Sequence, residues 1–163
     1  MTHREKGLFV GCGIAAWGVA VALAVIALIV AFIALNGREC APMPATATVM
    51  VQADGEWQTS GLYVQRGQRV LLVAAGGWRH DGYEEKLYGP EGIGIHFDTA
   101  VLPEEKVGCL LARIGEGEAF AAGSSAVFEA ERGGYLAFAM NDDKGTYGNN
   151  RGEVRVQVLV ESR

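Results

Sequence analysis

Cysteine is scarce in this sequence: Cys12, Cys40 and Cys109 are the three among 163 residues. That excludes a small domain held together by many disulfides, and with no C-x-x-C pair a zinc finger or ribbon is excluded too. Positive charge is also short. The formal net charge is −5, and the deficit is concentrated: residues 1–40 carry two acids and three bases, and residues 41–163 carry 17 acids and 11 bases. A domain of that sign repels polyphosphate, so nucleic acid is not an expected partner. There are three histidines, and no serine or cysteine stands in a recognisable nucleophile elbow. Gly115-Glu116-Gly117-Glu118 lacks the Lys-Ser/Thr that completes a phosphate loop, and reads as a turn. The acid pairs Glu84-Glu85 and Glu104-Glu105 would point to opposite faces of a strand and could not flank one bond. These gaps argue against an enzyme. Half of the residues are hydrophobic, which excludes disorder of the whole chain.

Charge is missing altogether from residues 7–37. As a helix, 7–35 would reach about 44 Å, more than the ~30 Å hydrocarbon core of a bilayer. The apolar part of a cleaved signal peptide runs to about 15 residues, so this one is too long. A lipoprotein signal needs small residues before its cysteine, whereas Cys40 follows Arg38-Glu39. The expected organisation is therefore a cytoplasmic tail at 1–6, a single transmembrane helix at 7–36, a linker at 37–46 and an extracytoplasmic domain at 47–163. Arg4, Lys6 and the terminal amine precede the span and Arg38 follows it, which places the N-terminus inside. Gly7, Gly11 and Ala15 recur every four residues, as do Ala16, Ala20 and Ala24. That spacing lets another membrane helix, from a further subunit, approach closely, or reflects the general Gly and Ala content of such helices. Cys40, just outside the span, is placed to pair with its twin in a homo-oligomer.

Beyond the linker the apolar residues alternate at period two and glycine breaks the pattern often. Strands are expected at 48–53, 61–65, 69–74, 108–114, 118–122, 126–131, 135–140 and 153–160. In the last, Val154, Val156, Val158 and Val160 face one way, with Arg155 and Gln157 opposite. No long amphipathic helix is visible. Eight short strands with glycine turns point to an all-β sandwich or jelly roll of two antiparallel sheets. Trp57 and Trp78 are expected in its core at the sheet edge, and Cys109, among apolar neighbours, buried and inert.

Two intervals, 76–103 and 141–152, do not read as strands. The second is Asn-Asp-Asp-Lys-Gly-Thr-Tyr-Gly-Asn-Asn-Arg-Gly. It holds a carboxylate, adjacent carboxamides and free carbonyls in a loop that glycine can tighten, the oxygen-rich set a Ca²⁺ ion requires. It is not an EF-hand, since no acid closes it at the twelfth position. Composition alone favours a plain polar turn, because Asn, Asp and Gly dominate turns for backbone reasons.

The spacing Asn141-Asp142-x-x-Gly145-Thr146-Tyr147-Gly148-Asn149-Asn150-x-Gly152 closely resembles the calcium-and-sugar loop of the PA-I galactophilic lectin family, which are bacterial galactose-binding lectins. Ala74-Ala75-Gly76-Gly77-Trp78, Gly89-Pro90-Glu91-Gly92 and Arg113-Ile114-Gly115 resemble further pieces of that family, in its order, over roughly 47–160. The apolar run lies outside the resemblance.

The resemblance implies a galactose-binding β-sandwich with one Ca²⁺ at one end and the sugar bound through it. Asp142, Asn149 and Asn150 would ligate the ion by side-chain oxygens and Thr146 by its carbonyl. A further carbonyl would come from the loop after Trp78, where Asp81 stands in place of the family's aromatic. Asp142 and Asn149 would also hydrogen-bond sugar hydroxyls. His96 falls at the spacing of a sugar-contacting histidine, and Thr99 replaces a longer amide side chain. His80 has no such counterpart. The implied protein is a bacterial lectin with Ca²⁺ as cofactor and a galactose-like sugar or glycan as partner. With its anchor it would sit in the inner membrane, its domain periplasmic. The alternative is an accessory single-span subunit of a larger membrane complex, with the sandwich as its outer brace.

Overall fold

The structure, a computed structural model, describes residues 43–81 and 86–162. They belong to a compact unit spanning Pro42–Arg163. The expected transmembrane helix, its basic tail, Cys12 and Cys40 lie outside the described residues. Among the described residues no helix is long and apolar enough to cross a membrane.

All eight expected segments form strands: β1 (Ala45–Gln52), β2 (Gln58–Val64), β3 (Arg69–Arg79), β4 (Leu110–Ile114), β5 (Phe120–Ala121), β6 (Ser125–Glu129), β7 (Gly134–Met140) and β8 (Arg151–Val160). They make two four-stranded antiparallel sheets, in the orders β1-β8-β3-β6 and β2-β7-β4-β5. The core lies between them. Val154, Val156, Val158 and Val160 of β8 enter it beside Val70 and Leu72, and meet Val64, Leu110, Leu136, Phe138 and Met140 of the second sheet. Arg155 and Gln157 face water, as the period-two alternation requires.

Three expectations change. β1 starts at Ala45, inside the expected linker, because its pairing with β8 runs back as far as Ala45 opposite Val160. β3 runs on through Gly76 and Gly77 to Arg79, where the glycines read as a break. The reason is a close approach of β3 and β8: a Cβ on Gly76, whose φ is +122°, would lie 2.7 Å from the Glu153 carbonyl. One on Gly152, with φ +99°, would lie 2.5 Å from the Gly77 carbonyl. Only glycine fits where two backbones press together in these conformations. Finally, Trp57 is half-buried rather than core, with the Arg113 guanidinium 4.4 Å from its ring centre. Trp78 is fully buried, and its indole N–H donates to the Gly108 carbonyl at 2.7 Å. Cys109 is buried as expected, and burial pushes its thiol up to about 11.

Register brings the loops to one end. Met140, the last residue of β7, pairs with Leu110, the first of β4, and Arg79, the last of β3, pairs with Arg151, the first of β8. The segments after β3, before β4 and between β7 and β8 therefore meet at the same pole. The β1–β2 turn joins them there, with the Ala53 N–H donating to the Gly152 carbonyl at 3.2 Å.

Candidate functional site

The loop 141–150 is polar in sequence, yet it holds all the buried polar side chains among the described residues: Asn141, Asp142 and Asn150. Asp142 is 1% exposed. Its Oδ1 accepts the Asp143 N–H at 2.8 Å and its Oδ2 accepts an Asn150 Nδ2 hydrogen at 2.8 Å. Burial pushes this carboxyl above the ordinary carboxylate range. The Asn150 amide, the Asp143 N–H and the nearby His80 pull it back, and the charge of Asp143 adds to the rise. A short 3-10 helix, Tyr147–Asn149, shapes the rest of the loop. Before it, Thr146 turns onto the Asp143 carbonyl with its N–H at 3.2 Å and its hydroxyl at 2.9 Å. The Tyr147 hydroxyl donates to the Asp142 carbonyl at 3.3 Å.

Asn150 is the telling residue. Its Nδ2 serves Asp142 and also faces Met140 Sδ at 3.7 Å, but its Oδ1 is buried and, among the described residues, has no hydrogen-bond donor. A buried acceptor left without a partner costs about 1–3 kcal/mol. A cation beside Asp142 would satisfy it. The donor set is one carboxylate with neutral amide and carbonyl oxygens. Among the described residues no group of three or more His, Cys, Asp or Glu could hold a metal. That chemistry suits a hard cation such as Ca²⁺ and does not suit a thiolate- or imidazole-loving metal. The residues present fit the ion.

Of the expected site residues, Asp142 and Asn150 are in direct contact. Thr146 and Asn149 are exposed on the same loop, the Asn149 N–H reaching back to the Thr146 carbonyl at 3.4 Å. Asp81 stands with His80, Oδ2 to Nε2 3.9 Å, next to segment 82–85, which lies outside the described residues. His96 and Thr99 are exposed on the segment before β4. The Thr99 carbonyl accepts the Lys144 N–H at 3.3 Å, and Ala100 bridges to Asp143, so this segment lies directly on the 141–150 loop.

The family described as "PA-IL-like protein" matches residues 46–163. The chain belongs to that family. The match leaves out the apolar run and covers both sheets and all three loops of the pole. The PA-IL-like domain is also similar to a solved structure, the EclA N-terminal domain, described as a PllA-like lectin. The identity is 23%, over 71% of this chain and 96% of that chain, with a TM-score of 0.59. At that identity the likeness speaks for the lectin-like fold. No curated protein matches the chain.

Sequence reasoning missed three contributors to this PA-IL-like site. His80, set aside for want of a counterpart, stands at the same pole at the end of β3, and its ring faces Phe97 at 6.3 Å between centres. No local signal marks it; only the β3–β8 register brings it there. Gly55 supports the 3-10 helix from below. Its φ is +76°, and a Cβ there would sit 2.4 Å from the Tyr147 ring. Asn141 opens the 141–152 motif, but the sequence assigns it no role of its own. It is fully buried and holds four backbone groups.

Proposed function

We propose that this chain is a calcium-dependent carbohydrate-binding protein of galactose-type specificity, held at a bacterial inner membrane by residues 7–36 with its domain on the outer side. The observation that carries the reading is the buried Asp142–Asn150 pair with its unserved Asn150 Oδ1, set inside a loop of the PA-IL-like family. Asp142, Asn149, Asn150 and the Thr146 carbonyl would hold the ion, with a further carbonyl from the segment around Asp81. Bound Ca²⁺ supplies open coordination positions that two vicinal hydroxyls can fill. Asp142 and Asn149 would take part in hydrogen bonds to those hydroxyls, and His96 and Thr99, on the segment that lies on this loop, would add sugar contacts. The domain binds and does not catalyse. A single sugar site is weak, and copies side by side in a membrane plane would raise the effective affinity without any new contact.

The test is calorimetric titration of the full-length chain, kept in mild detergent, first with Ca²⁺ and then with methyl galactoside. Ca²⁺-dependent galactoside binding is expected, with both responses lost in Asp142→Ala. The Gly and Ala spacing of the apolar run favours a second reading, an accessory subunit whose helix docks onto others. Calcium binding without a galactoside response would move the assignment to that reading. No calcium binding at all would leave 141–150 a polar turn.

A further inference from the structure

Segment 96–106 bears His96 and Thr99 and is not part of either sheet. Its middle lies on the 141–150 loop through the Thr99 carbonyl and the Ala100–Asp143 bridge, and its two ends need anchors of their own if the exposed side chains are not to be lost to conformational freedom. At its start, Ile93 donates to the Val107 carbonyl at 2.8 Å and Val107 donates to the Ile95 carbonyl at 2.9 Å. His96 follows directly. At its far end the chain wraps around a single side chain. Asn141 Oδ1 accepts the Leu102 N–H at 3.0 Å, while Nδ2 faces the carbonyls of Leu102 at 3.0 Å, Glu105 at 3.2 Å and Lys106 at 3.1 Å. The backbone of Asn141 is itself fixed: its N–H donates to the Cys109 carbonyl at 2.8 Å, and its carbonyl accepts the Gly108 N–H at 2.7 Å. A planar amide offers its acceptor and its donors on different sides, so it can clamp one N–H and three carbonyls in one orientation only.

We propose that Asn141 is a positioning residue for sugar recognition. Touching neither ion nor sugar, it sets where His96 and Thr99 stand relative to Asp142, one residue along the chain, and so sets sugar affinity separately from ion affinity. The division of labour is geometric: Asp142 engages Asn150, whereas Asn141 engages 102–106. The inference rests on the calcium-dependent lectin reading.

The experiment titrates the full-length chain with Ca²⁺, then with methyl galactoside at saturating Ca²⁺, for wild type, Asn141→Ala, Asn141→Asp, His96→Ala and the Asn141→Ala/His96→Ala pair. Asn141→Asp is nearly isosteric and serves where Asn141→Ala fails to fold; its carboxylate would face three carbonyl oxygens and release the segment. Both Asn141 variants are expected to lose at least tenfold in galactoside affinity while Ca²⁺ affinity stays within threefold. The double variant is expected to bind no more weakly than Asn141→Ala alone, because a displaced His96 has nothing left to lose. Galactoside affinity unchanged in the Asn141 variants, parallel loss of Ca²⁺ and sugar, or full additivity with His96→Ala would each overturn the assignment. A wild-type chain that binds Ca²⁺ and no galactoside overturns the lectin reading itself, and shows this before any variant is compared.

Discussion

The two ends of the sandwich reverse the chain by different means. At one end the turns 65–68, 115–119 and 130–133 are short and bond to their own or each other's backbone, with Gln68 donating to the Gln65 carbonyl at 3.0 Å, Gly117 to Ile114 at 3.0 Å and Gly67 to Ala130 at 2.7 Å. Their charges stand in water, as Glu116 does at 90% side-chain exposure beside Arg113. At the other end long segments meet, and their backbones are satisfied by buried side chains as much as by each other. Two asparagines of one loop show what this achieves. Asn141 has both ends of its amide engaged and holds structure together; among the described residues nothing serves the Asn150 oxygen. Residue type and burial are the same at both positions, and the count of partners separates scaffold from site.

Asn150→Ala should sharpen that contrast most. It removes the unserved acceptor and the donor to Asp142 together, so Ca²⁺ affinity should fall by more than tenfold. In chelator the change in stability should stay within about 1 kcal/mol, because losing the donor to Asp142 Oδ2 is offset by removing the unserved Oδ1; calorimetry and denaturant titration read the two effects. Gly55→Ala lies outside the 141–150 loop yet strikes the same end. Its φ of +76° and the Tyr147 ring at 2.4 Å leave no room for a methyl group. A loss of about 1–2 kcal/mol and a several-fold weaker Ca²⁺ response are expected; an unchanged response would separate the β1–β2 turn from the site. At the plain end, Glu116→Ala breaks the 3.2 Å ion pair with Arg113. A shift under about 0.5 kcal/mol is expected, since Glu116 stands in water and Arg113 keeps its place over Trp57 without it, with Ca²⁺ affinity unaltered in the same titration. A large shift there would erase the distinction between the ends.

Much of the fold was legible because alternation survives in single strands: β8 declares its inward valines with no reference to the rest of the chain. The glycines of β3 were misleading for a physical reason. Glycine normally weakens a strand, and only knowledge of β8 pressing against it explains why Gly76 and Gly77 continue one. Trp57 looked like core, and an arginine from β4 covers it instead. Within the site, Asp142 and Asn150 were readable from a motif whose chemistry is local. Asn141 stands in the same motif, but its hold on 102–106 was not readable, because that segment lies about 40 residues away and only the fold brings it near.

That register also bears on when the site comes into being. Trp78 pairs with Gly152 across most of the domain's length, and the pole is closed only when this distant pairing is made. Such non-local contacts form late, after the entropy of the intervening chain has been given up. The four residues that would hold an ion lie within 142–150, and only the further carbonyl around Asp81 waits for β3 and β8 to pair. An ion that needs both would be gripped fully by the closed pole alone: calcium would slow unfolding more than it speeds folding. The domain would then be calcium-locked more than calcium-built.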